Sequence, residues 1–147
     1  TIFRTKAIME ARSDGVRFNI DPTALQFDDV DPALWATVQA INQTIWVWTS
    51  ACCQGHWDEK GEQRLNVPYI QVVCSKHYRS RVEAAASQAA GFAVDRSADL
   101  LVSFSVRQAS PNWVCCSFYV VDIEEMDPTN LALAQQVLLH FGKRLCE

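Results

Sequence analysis

A thiol, an amide and an imidazole fall within four residues at Cys53-Gln54-Gly55-His56, directly after the β-branched and aromatic run Thr44-Ile45-Trp46-Val47-Trp48-Thr49-Ser50. A strand end followed by glycine exposes successive backbone N–H groups that cradle an anion, and glycine lets a ligand approach the main chain closely. The thiol and imidazole beside such a nest can bind metal, transfer a proton or hydrogen-bond a phosphate or a base. The bland alternative is a small buried cysteine in a tight turn.

A second pair with the same spacing follows at Cys74 and His77. Cys53-x2-His56 and Cys74-x2-His77 together supply the ligand set of a tetrahedral Cys2His2 zinc site, so a zinc-stabilised interaction module without catalysis stands as the alternative reading. Neither pair is a Cys-x2-Cys knuckle, and both sit at ends of apolar strands where cysteine is commonly core. Cys53 as nucleophile with His56 as base needs an orienting third group and an oxyanion pocket, which sequence does not place. Trp57 offers a ring for stacking, and Asp58 and Glu59 offer acids; packing and solvation are their ordinary roles.

Lys76, Arg79 and Arg81 form a basic cluster at a helix start, where free N–H groups and the positive dipole end favour phosphate. A solvated helix face is the plain alternative. The expectation is therefore a nucleotide-like or phosphate-bearing ligand bound or modified at Cys53, Gly55, His56, Lys76 and Arg79. The sequence names no reaction.

Two resemblances bear on these residues. Cys53-Gln54-Gly55-His56 followed by Pro68-Tyr69-Ile70 resembles uncharacterised bacterial and phage-borne proteins with a Ser-Cys-x-Gly-His turn, which implies no activity. The order of elements over residues 44–107 is similar to the wybutosine-synthesis tRNA methyltransferase family, whose turn reads Ser-Ser-Cys-Ser-Gly-Arg; His56 stands in place of that arginine. This resemblance implies an S-adenosylmethionine or RNA site near Cys53, Gly55 and His56, with the Lys76 to Arg81 region close by.

The elements that must position these groups follow from periodicity and turn chemistry. Ile2 to Glu10, an Asp14-Gly15 turn and the alternating Val16-Arg17-Phe18-Asn19-Ile20 read as a hairpin. Asp31-Pro32 opens a helix to about Gln43, with Leu34, Trp35, Val38 and Ile41 on one stripe. Strands follow over 44–50 and 67–74, separated by an exposed loop from Trp57 to Asn66. A helix from Lys76 to Ala90 stops at Gly91, strands cover 100–106 and 113–121, and a last helix runs from Asp127-Pro128 to about Arg144. The expected fold is a single α+β domain over residues 1–147, with a mixed or antiparallel sheet of about six strands and three main helices.

Composition bounds the function. The 147-residue chain is 49% hydrophobic with a net charge of −4, so it buries an ordinary core and has no global basic field for duplex DNA; a small anionic ligand or RNA would need a local site. The sequence has no apolar run of membrane-spanning length and no signal-like start. Six cysteines include the vicinal pairs Cys52-Cys53 and Cys115-Cys116, a poor disulfide framework, so free thiols or metal ligands in the cytoplasm are expected. An exposed patch at Trp46, Trp48 or Trp113 would favour an assembly role and a homo-oligomer.

Overall fold

The computed structural model describes residues 2–57, 64–122 and 127–147, with backbone alone at 56, 57 and 64–66. Its centre is one antiparallel sheet in the order β1 (Val47–Cys53), β4 (Tyr69–Ser75), β6 (Trp113–Asp122), β5 (Leu100–Ser110). A short ribbon of β2 (His56–Trp57) and β3 (Arg64–Asn66) continues the β1/β4 pair. Four helices complete the described residues: α1 (Ile2–Ser13), α2 (Trp35–Asn42), α3 (Arg79–Arg96) and α4 (Pro128–Leu145). The expectation of a six-stranded sheet with three helices is therefore wrong in both numbers.

The error lies at the N-terminus. The Asp14-Gly15 pair caps a helix instead of turning a hairpin: Gly15 has φ +95°, its N–H donates to Arg12 O at 3.0 Å, and Val16 N–H donates to Ala11 O at 2.9 Å. Those two bonds are the Schellman pattern, in which glycine takes the left-handed position after the helix. Both devices demand glycine at positive φ, so the dipeptide could not discriminate between them. The deciding signal was the spacing of Arg4, Ala7, Ile8 and Ala11, which lays one face of α1 on the sheet. Val16, Phe18 and Ile20 do alternate inward, but as a strap whose Ile20 N–H donates to Ser50 O on the edge of β1 at 2.9 Å.

Helices α2, α3 and α4 cover the other sheet face. There Ile70, Val72, Cys116, Phe118 and Val120 meet Val38, Val82, Ala89, Val137 and Phe141, with the Phe118 and Phe141 rings stacked at 4.3 Å. On the α1 face Ile8, Ala11 and Val16 pack on Trp48, Val73, Trp113 and Cys115, and Trp113 Nε1 donates to Asp14 Oδ2 at 2.8 Å. Trp46, Trp48 and Trp113 are all buried, so they form no exposed patch. Gly91 does not stop α3, which runs on to Arg96; the glycine is exposed in mid-helix, where it costs about 1 kcal/mol and breaks nothing. Within the segment read as a loop, β2 and β3 pair, while residues 58–63, including Asp58, Glu59 and Lys60, lie outside the described residues. Among the described residues no helix is long and apolar enough to cross a membrane.

Candidate functional site

The two groups of candidate residues stand at opposite ends of the β1/β4 ladder. Cys53 is opposite Tyr69 at one end and Cys74 is opposite Val47 at the other. Five residue steps along β4 take the chain from Tyr69 to Cys74, a span of about 17 Å. Zinc ligands sit about 2.0–2.3 Å from one ion, so Cys53 and His56 cannot share a tetrahedral site with Cys74 and His77. Cys74 is fully buried in the core beside Cys116. Among the described residues no cluster of three or more potential ligands occurs, and all six thiols are free.

At the Cys53 end the turn is filled by the protein itself. Gln54 N–H donates to Asp31 Oδ2 at 2.9 Å, and Gly55 N–H donates to Cys53 Sγ at 3.4 Å. Gln54 Oε1 accepts from Ala33 N–H at 3.0 Å and Gln54 O accepts from Gln135 Nε2 at 3.0 Å. The anion cradled by this turn is thus the side chain of Asp31, and the bonds tie the end of β1 to the start of α2 and to α4. Gly55, at φ +81°, has no room for a side chain: a Cβ there would lie 2.6 Å from Leu131 Cδ1 and 2.7 Å from Pro68 Cγ. Close approach is the reason for the glycine, and what approaches is a leucine and a proline.

Burial pushes the Cys53 thiol up from its ordinary range, against the lowering effect of the Gly55 N–H and with the help of Asp31. Burial, then Asp31 and Cys53, push Cys52 up to about 12. Nucleophilic cysteines need the reverse, a stabilised thiolate. The His56 side chain lies outside the described residues.

The other end is open. Ser75 Oγ accepts from His77 N–H at 3.4 Å and opens a short 3-10 turn that leads directly into α3. Lys76 N–H donates to Asn112 O at 2.9 Å, holding that turn against the β5/β6 hairpin. Between them lies a pocket of about 580 Å³, with Lys76, His77 and Arg79 on one wall and Val106, Gln108 and Ser110 on the other. All three basic residues are exposed; Arg79 Nε is steadied by Glu83 Oε1 at 3.0 Å. Arg81 leaves the cluster, because its guanidinium stacks over the Trp46 ring at 4.1 Å. Ser110 Oγ is buried and has no hydrogen-bond partner among the described residues.

Sequence reading placed Lys76, His77 and Arg79 at a helix start but missed the facing wall. Gln108 and Ser110 fall between the strands expected over 100–106 and 113–121, whereas β5 runs through both and the turn is Pro111-Asn112. Asp31 and Gln135, which close the other end, gave no local signal because they meet the turn from 23 and 81 residues away. On α4 the His140 ring stacks on Phe92 at 4.4 Å.

An antiparallel sheet with helices on both faces and a basic pocket at one end of the sheet define an α+β fold. No protein family and no curated protein matches the chain. Among solved structures it is similar to the PH1069 protein from Pyrococcus horikoshii, with a TM-score of 0.42 and 13% identity over 97% of this chain and 89% of that one. That likeness is too distant to carry a functional argument, and none of the comparisons supports the phage-borne or wybutosine resemblance.

Proposed function

We propose that the protein binds a small phosphate-bearing or nucleotide-like ligand in the pocket between the Lys76–Arg79 segment and the β5/β6 hairpin. The observation that carries this reading is the convergence of three basic side chains on a pocket whose far wall is lined by Val106, Gln108 and Ser110. Lysine and arginine neutralise an anion, and arginine presents a fork that matches phosphate oxygens. Gln108 supplies an uncharged donor that orients it, while Val106 gives an apolar surface for the rest of the ligand. Cys53 and Gly55 act here at a distance, by fixing β1 and α4, and do not touch the ligand.

Titration with inorganic phosphate, pyrophosphate, nucleoside mono-, di- and triphosphates and S-adenosylmethionine tests the proposal. Amide resonances of Lys76, His77, Gln108 and Ser110 should shift in a saturable, salt-sensitive way with at least one phosphate compound, and those of Gln54 and Gly55 should stay in place. No shift with any compound would sink the reading; shifts confined to Gln54 and Gly55 would return the site to the turn.

A further inference from the structure

The two outer edges of the sheet are treated differently. The edge of β1 is met by the Val16–Ile20 strap, whose Ile20 N–H donates to Ser50 O, and β1 carries a bulge at that point. The edge of β5 is bare: its ladder runs to β6 on one side, and among the described residues no element pairs with the other. β5 is also the longest strand, at eleven residues, with its single irregularity at the far end between Gln108 and Ser110. Monomeric proteins usually guard such an edge with lysine, proline, a central bulge or a covering segment. From Leu100 to Val106 there is no charge and no proline.

The sequence of that edge is symmetric. Val102-Ser103-Phe104-Ser105-Val106 reads the same in both directions. We infer that β5 pairs antiparallel with β5 of a second copy, about a two-fold axis through Phe104, joining the two sheets into one of eight strands. In that register Phe104 faces Phe104, Val102 faces Val106 and Ser103 faces Ser105, so within residues 102–106 apolar residues meet apolar ones and serines meet serines, while Leu101 faces Arg107. A two-fold contact of this kind is self-complementary by construction and closes without further growth.

Burial agrees with an occupant on this edge. Val102, Phe104 and Val106 point toward the main core yet remain only partly covered, and Leu101, on the opposite face, is 51% exposed. Val94 on the neighbouring helix α3 is 70% exposed. A second copy would cover the open flank of these side chains and satisfy the outward N–H and C=O groups of β5, with aromatic and β-branched cross-strand pairs adding to the ladder. This inference rests on other observations than the ligand proposal, the bare edge and the symmetric sequence of β5, although Val106 borders both the pocket and the proposed pairing.

Sedimentation velocity of the full chain over a concentration series is the test, with far-UV circular dichroism to confirm that each variant is folded. The wild type should show a monomer–dimer equilibrium. In Ser103→Lys/Ser105→Lys the introduced ammonium groups face each other across the axis, while both positions are exposed in the monomer; the dimer Kd should rise at least about tenfold. Leu101→Glu places a carboxylate opposite Arg107 of the second copy and should lower the Kd by about two- to fivefold. A wild type that stays monomeric at about 0.1 mM overturns the inference. So does a dimer indifferent to both variants, which would point instead to another surface such as the exposed Ile2, Phe3 and Met9 of α1.

Discussion

The two ends of the β1/β4 ladder carry similar residue types and have opposite fates. At the Cys53 end a thiol, an amide and a glycine meet internal partners: Asp31 takes the Gln54 N–H, Gln135 reaches the Gln54 carbonyl, and Leu131 and Pro68 fill the space over Gly55. At the Lys76 end the side chains of Lys76 and His77 face an open pocket with a serine hydroxyl behind it. A polar residue type says what a group can bind, while the topology decides whether the protein has already bound it. The closed end should therefore govern stability and the open end ligand affinity, and substitutions can separate the two.

The sharpest break is Gly55→Ala. The new Cβ would sit in a left-handed backbone conformation and against the rigid ring of Pro68, so strain and overpacking together should cost about 2–4 kcal/mol. Chemical denaturation should show that loss, with unchanged ligand affinity in the molecules that remain folded. Asp31→Ala comes next. It leaves the Gln54 N–H without its carboxylate and frees the start of α2, for an expected loss of about 1–3 kcal/mol by the same measurement. If instead either variant keeps its stability and loses phosphate binding, the ends have been assigned the wrong way round.

The open end should respond inversely. Lys76→Ala and Arg79→Ala should each weaken binding of the phosphate compound about tenfold by calorimetry, since each removes one charge-assisted contact. Their melting temperatures should stay close to wild type: both side chains are exposed, and the Arg79–Glu83 pair is the kind of surface bridge that contributes about 0.3–0.5 kcal/mol. Loss of stability without loss of binding would make Lys76 and Arg79 ordinary surface residues.

Much of the fold was legible because its signals are local. Asp127-Pro128 does cap α4, through the Asp127 carboxylate and Asn130 N–H at 2.7 Å, and the strands at β1, β4, β5 and β6 stand where β-branched and aromatic residues concentrate. The N-terminal error came from a signal with two meanings, Asp14-Gly15, given more weight than the helical spacing of Ile8 and Ala11. The site was legible in residue type and illegible in partnership. Cys53-x2-His56 and Cys74-x2-His77 look like one ligand set in sequence, and only the register of Cys53 with Tyr69 and Cys74 with Val47 shows that a strand's length divides them. Likewise nothing near Gln54 announces Asp31, and nothing near Lys76 announces Ser110, because both meetings are made by tertiary packing.

Ser110→Ala is the smallest and most discriminating of the substitutions. The Ser110 hydroxyl is buried without a partner among the described residues, and such an atom has lost hydration without a compensating hydrogen bond. Removing it should leave stability unchanged or raise it by a few tenths of a kcal/mol, a rise too small to come from any new contact. If the pocket opens onto this hydroxyl when a phosphate binds, the same change should weaken binding about two- to fivefold. The two observables then move in opposite directions, a pattern that a purely structural serine does not produce. A drop in both would mean that Ser110 packs the β5/β6 hairpin and that the pocket's far wall does not bind.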